Sequence, residues 1–235
     1  MEETLEKAPI NKKKKKEPWE IVLKDRFLKN EKPDNIYLVA LLYFIVFFLS
    51  FLLVFVCFFQ LCTVRGSSME STLHDRDNVL LLKASSYKRG DIVVISKEGS
   101  DKKSTNIIKR IIAVEGDELY FDASDEQDVM LWLKKKGESE FHCQDKDEKE
   151  YIKEPMKKKD FPPDFAFGKN NVITIEENSY YVMGDNRNDS VDSRYEDSQY
   201  TTSNIYGKSI LVVKEKSVLA FFLKLLYHEN NATDA

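Results

Sequence analysis

Cysteine is scarce and poorly placed for chemistry. The 235 residues hold three: Cys57 and Cys62 in one apolar run, and Cys143 in a distant charged segment. They offer neither an even disulfide framework nor a Cys-x-x-Cys metal pair. Histidine is as sparse, since His74, His142 and His228 lie far apart and form no ligand motif. An excess of positive charge is missing too. The formal net charge of -4 gives no reason to expect nucleic acid as a partner.

One long stretch lacks charge altogether. Asn35 to Val64 carries no charged side chain, and Tyr37 to Phe59 is almost wholly apolar apart from Ser50 and the tyrosine hydroxyls. As a helix, that run would extend about 35 Å, enough to cross a hydrocarbon core of about 30 Å. It is too long for a signal-peptide core and starts too late in the chain. Lysine and arginine crowd its N-terminal side: Lys12 to Lys16, Lys24, Arg26, Lys29 and Lys32. On the other flank only Arg65 and Arg76 are near, with Glu70, Asp75 and Asp77 beside them. The positive-inside rule then puts the basic tail in the cytoplasm and everything after Val64 outside it. The expected organisation is a tail over 1–34, a single transmembrane helix over 35–63 and an extracytoplasmic domain over 64–235.

Beyond Val64, short runs rich in Ile, Val and Tyr alternate with turn residues. They are Asn78 to Leu82, Ile92 to Ile95, Ile107 to Val114, Val172 to Ile175, Tyr180 to Met183 and Ile210 to Val213. This pattern predicts a mostly β domain. Arg89-Gly90-Asp91 reads as a turn into a strand. About 121–171 the chain becomes dense in both signs of charge, which predicts a solvent-exposed insertion with a short helix near Val129 to Lys136. Val218 to Tyr227 is apolar but short, and reads as a final strand, a small helix or a surface-lying segment.

Three segments carry chemistry. The first is Val64-Arg65-Gly66-Ser67-Ser68-Met69-Glu70-Ser71-Thr72-Leu73, just after the charge-free stretch. At no more than about 3.5 Å per residue, Ser68 lies within roughly 14 Å of Val64. A serine hydroxyl needs a base to take its proton. The second segment supplies one in Lys109. On a strand, Ile107, Lys109, Ile111 and Ala113 share one face, and burial among apolar side chains lowers a lysine pKa. Moving it from about 10.4 to near 7 disfavours the ammonium by roughly 4 to 5 kcal/mol. The plain alternative is a strand-edge lysine with its amine in water. The third segment, Tyr180 to Arg194, runs from a strand into a turn crowded with carboxylates, hydroxyls, Arg187 and Arg194. Its arginines would oppose a cation, so internal ion pairing reads better than a metal loop.

Together, the segments resemble the bacterial type I signal peptidases (leader peptidases). The serine box of that family, Gly-x-Ser-Met-Glu-Pro-Thr-Leu, is similar to Gly66 to Leu73. Gly90-Asp91-Ile92-Val93 matches its strand-start box, Ile108-Lys109-Arg110-Ile111 with Gly116-Asp117 its lysine box, and Gly184 to Arg194 its last box. Gly207-Lys208 fits a weaker element. The resemblance covers about 35–213. It implies an extracytoplasmic antiparallel β-sheet catalytic domain with a charged insertion, anchored by a single helix in the cytoplasmic membrane. Ser68 would be the nucleophile, Lys109 the general base and Ser190 the group that orients the lysine. Asp185, Arg187, Asp192 and Arg194 would frame the site through ion pairs. Gly66 and the Ser68 amide would lie at the oxyanion, and Val64, Met69, Ile107 and Ile108 would line shallow pockets for Ala-x-Ala-like sites. Its substrates would be signal-peptide-bearing precursors, met at the lipid bilayer near the export translocon. No metal or organic cofactor is implied.

The chain departs from the pattern at Ser71, where the family usually has proline, at the inverted Asn188-Asp189, and at Glu196-Asp197, which lacks a glycine often found after the Ser-Arg-Tyr run. Gly66 also stands where some relatives place an oxyanion serine. Rival readings are a Ser-His enzyme using His74, a self-cleaving repressor protease with a Ser-Lys dyad, and a catalytically inactive anchored β domain that binds partners.

Overall fold

The structure is a computed structural model that describes residues 35–83, 86–98, 104–144, 152, 154–196, 199–214, 217 and 230–232. The basic tail and the segment 218–227 lie outside these residues. The charge-free stretch divides in two. Helix α1 (Ile36–Phe58) has a mean hydropathy of 3.0 and buries none of its residues. Among the described residues it is the one helix long and apolar enough to cross a membrane. Ser50 donates to the Val46 and Phe47 carbonyls at 2.8 and 2.9 Å, which satisfies the hydroxyl within the helix.

The helix ends at Phe58, short of the expected 63. Phe59–Val64 is instead strand β1, and Leu61 to Val64 are buried in the domain. The reason is pairing: β1 lies antiparallel to β2 (Asn78–Leu82), with Leu61 opposite Leu80 and Thr63 opposite Asn78. Val64 therefore belongs to a sheet, not to the exit from a membrane, and the short tether expected for Ser68 is longer by a whole strand.

The remaining strands are β3 (Ile92–Glu98), β4 (Ser104–Val114), β5 (Glu118–Asp122), β6 (Met130–Lys134), β7 (His142–Cys143), β8 (Ile173–Thr174), β9 (Ser179–Met183), β10 (Tyr200–Thr201), β11 (Ile205–Val213) and β12 (Asn230–Ala232). Among the described residues they form an eight-stranded sheet, β10-β9-β4-β3-β11-β2-β1-β12, and a four-stranded sheet, β7-β6-β5-β8. Pairing is antiparallel throughout except for β1 with β12. The mostly antiparallel β fold expected from the sequence is what forms.

The charged segment holds more order than its composition suggests. Val129 to Lys136 was expected to hold a helix, but β6 forms there because burial alternates along it. Leu131 and Leu133 are buried, while Met130, Trp132 and Lys134 are half-buried. Leu119, Phe121, Met156, Phe161 and Ile175 complete a core with Ile112, Ala113, Tyr181 and Met183. The solvent-exposed insertion is thus a second sheet packed on the first. Buried Asp117 ties the two together. It accepts from Arg89 Nε and Nη2 at 2.6 and 2.9 Å, from the Val114 amide at 2.9 Å and from the Lys136 amide at 3.0 Å.

Candidate active site

Strand β4 presents Lys109. Ile107 and Ile111 pack in one cluster with Val93, Ile95 and Val182, while Ile108 packs in another with Val64, Met69 and Leu73. The alternation expected for a strand holds as far as Ile111. Ala113 leaves that face and joins Ile112 in a third cluster, because the pairing with β9 shifts register between Ile111 and Ala113. β9 covers β4 only from Arg110 onward.

Ser68 sits in the turn after β1. Both Ser68 and Lys109 are buried, at 1% and 0% exposure. Lys109 Nζ donates to Ser68 Oγ at 2.8 Å, across 41 residues of sequence. Ser68 is fixed from the other side as well, since its carbonyl accepts from the Asn186 amide at 2.9 Å. Asn186 Nδ2 donates to the Ser67 carbonyl at 3.1 Å, and Ser67 Oγ donates to Asp189 at 2.5 Å. The serine turn and the last motif are thus stitched together on both sides of the nucleophile candidate.

Gly184 shows how tight this joint is. A Cβ there would lie 2.3 Å from Ser190 Oγ and 2.6 Å from the Ser68 carbonyl oxygen. Ser190 Oγ donates to Asp192 Oδ2 at 2.8 Å. Asp192 also accepts from the Gly184 amide at 3.0 Å and from Arg194 Nε and Nη2 at 2.8 and 2.9 Å. Burial pushes the Asp192 carboxyl up, but the Arg194 charge and hydrogen bonds and the Gly184 amide hold it below the usual range. Arg194 is itself buried. Desolvation works against its charge, and Asp192 outweighs that, so its pKa is raised.

Asp185, with no exposed surface, accepts from Arg110 Nε and Nη2 at 2.8 and 2.6 Å, and from Thr72 Oγ1 at 2.6 Å. Arg110 and Thr72 were not singled out in the sequence. The signal was available, since alternation turns Arg110 away from its neighbour Lys109 and leaves its guanidinium in need of an acid. Arg187 is buried and donates from Nε to the Gly184 carbonyl at 3.0 Å.

One expectation is revised. The Gly66 amide donates to Asp75 Oδ1 at 3.0 Å, so it is already engaged and does not point to an oxyanion. Its φ of 93° is a left-handed value that glycine adopts without strain, which accounts for the missing side chain. Val64, Met69, Ile107 and Ile108 are each at most 1% exposed, and Ile107 belongs to a different cluster from the other three. Val64 lies opposite Ala232 of β12, so this burial is that of a covered strand. His74 is exposed and contributes its amide to Asp77, while Ser68 meets Lys109. Among the described residues, no group of three or more His, Cys, Asp or Glu is arranged to hold a metal ion.

A serine hydroxyl beside an amine inside a mostly β chain is the equipment of a serine peptidase. Family and geometry agree on that class. Residues 36–214 match the family described as "Signal peptidase, peptidase S26", and the chain belongs to that family. It is 33% identical over 140 residues to a signal peptidase I of Bacillus licheniformis, covering 58% of this chain and 66% of that protein. To a signal peptidase I of Bacillus amyloliquefaciens it is 32% identical over 153 residues, covering 63% and 72%. A crystal structure of a signal peptidase I from Enterococcus faecalis V583 aligns with a TM-score of 0.30 and 18% identity, over 53% of this chain and 97% of that one.

Proposed function

We infer that this chain is a membrane-anchored serine endopeptidase that removes N-terminal signal peptides from exported precursors at Ala-x-Ala-like sites. The observation that carries the mechanism is the 2.8 Å contact between two buried groups, Lys109 Nζ and Ser68 Oγ. Burial favours the neutral amine, and a neutral amine accepts the serine proton. As Ser68 Oγ bonds to the scissile carbonyl carbon, its proton passes to Lys109 Nζ. The tetrahedral intermediate collapses, the C–N bond breaks, and Lys109 returns the proton to the leaving amine. A water that Lys109 deprotonates then hydrolyses the Ser68 ester. The Ser68 amide is the proposed backbone donor to the oxyanion. Ser190, held by Asp192, positions Lys109, while Asp185, Arg187, Asp192 and Arg194 hold the frame.

The organisation proposed is a basic tail in the cytoplasm over 1–34, a single span centred on α1, and a peptidase domain outside the cytoplasm from Phe59 onward. Precursors and the lipid bilayer are its partners, met near the export translocon. The orientation rests on the lysine and arginine excess before residue 34. A purified chain in detergent should cut an Ala-x-Ala peptide. Ser68→Ala should reduce cleavage to background, and Lys109→Ala should cost about 10²- to 10⁴-fold in kcat. Full activity in either folded variant would overturn the dyad.

A further inference from the structure

Strand β12, the triplet Asn230-Asn231-Ala232, pairs in parallel with β1. Cys62 lies opposite Asn230, Thr63 opposite Asn231 and Val64 opposite Ala232. The same strand lies against β4. β1 leads into the turn that bears Ser68, and β4 bears Lys109. β12 therefore fills the gap between the two strands that deliver the reacting groups.

Its direction carries the argument. The Val64 amide donates to the Asp77 carbonyl at 2.8 Å, and the Val64 carbonyl accepts from the Arg76 amide at 2.9 Å. The Val64 peptide groups thus face β2. Alternation along a strand turns those of Thr63 the opposite way, toward β12. A strand parallel to β1 advances toward the Ser68 turn and delivers its C-terminal carbonyls there. An extended precursor segment offering a scissile carbonyl to Ser68 by strand addition would use this edge, this direction and the same Thr63 groups. The triplet ends on alanine, the residue type that an Ala-x-Ala site places before the cut. Asn230 stands two positions earlier, where such a site has its other alanine. That mismatch suits a segment that is held and not consumed.

We propose that Asn230–Ala232 is a built-in occupant of the substrate cleft, a tethered pseudo-substrate that competes with precursors. The proposal rests on the peptidase reading above, which makes this cleft the docking site. A tether supplies the segment at an effective concentration on the order of millimolar, so even weak pairing blocks the cleft for part of the time. Three residues of pairing are few, so a longer and better-matched peptide displaces them.

The test compares the full chain, a chain stopped after Tyr227, and Ala232→Pro, which removes the amide that parallel pairing turns toward Thr63. KM for an Ala-x-Ala peptide should fall about three- to tenfold in both variants with kcat unchanged, since the apparent affinity scales with the open fraction of the cleft. A synthetic peptide of residues 228–235 should inhibit the shortened chain competitively. Hydrogen exchange at the Thr63 amide, read in the Ser68→Ala background, should be slow in the full chain and fast in both altered forms. Unchanged KM, no inhibition in trans and unchanged Thr63 exchange would overturn the proposal. If no form cleaves peptide, the peptidase reading fails, and Thr63 exchange alone still decides whether β12 occupies the cleft.

Discussion

Lys109 has no exposed surface, and the groups around it determine whether it carries a charge. Asp192 is near enough to feel that charge, and an unpaired carboxylate there would hold the amine protonated. Arg194 instead takes up the Asp192 charge through two contacts of 2.8 and 2.9 Å. Replacing Arg194 should therefore free Asp192 to raise the lysine pKa. In Arg194→Met, the acid limb of the kcat profile should move to higher pH, since a nearby opposite charge favours the ammonium. An unmoved limb with intact folding would show that Arg194 has no part in setting the base. Gly184 makes a second prediction at this scale. Gly184→Ala drives a methyl group into Ser190 Oγ and the Ser68 carbonyl. Overpacking of this kind costs about 1–3 kcal/mol, read as a lower denaturant midpoint. Because both contacts belong to the site, kcat should fall further than the stability loss accounts for.

At the scale of elements, the joint between motifs matters more than any one strand. Asp185 binds Arg110 on β4 and Thr72 in the serine turn at once. Asp185→Ala leaves a largely buried guanidinium without its acid, at a cost of about 3–5 kcal/mol. Urea titration should show that loss, and peptide cleavage should fall with it. The strands that frame this joint were legible from their apolar runs, because β-branched residues between turn residues are a direct signature of pairing. Two elements were not. Val129 to Lys136 begins with a continuous apolar run, which suits a helix or a strand equally, and contact with β5 settles it. Asn230-Asn231-Ala232 has no β propensity, and its strand exists only because β1 offers an open edge. The dyad candidates came from the order and spacing of the motifs, because a lysine among isoleucines reads equally as a strand-edge residue with its amine in water. The Gly66 amide was misread because its partner, Asp75, lies nine residues away in the next turn.

At the scale of the whole molecule, the described residues divide into two units, one ending at Leu52 and one beginning at Leu53. If the first serves only to hold the second at a bilayer, the two losses should separate. A chain beginning at Leu53 should keep its kcat/KM on a short soluble peptide. Processing of a precursor embedded in vesicles should fall by about 10²-fold or more, the gain that a shared surface ordinarily confers. An equal fall on both substrates would give the first unit a structural role. The Asp185 clamp has a further consequence. Thr72 and Arg110 lie 113 and 75 residues before it in sequence. During synthesis, Ser68 and Lys109 both leave the ribosome well before Asp185, Asn186 and Asp192 exist to hold them. Chains are made from the N-terminus, and contacts so distant in sequence close late. A half-made copy thus carries a serine and a lysine that nothing yet aligns. On the proposed mechanism, cutting power would be withheld until the last third of the chain arrives, which would keep a nascent copy harmless to its neighbours.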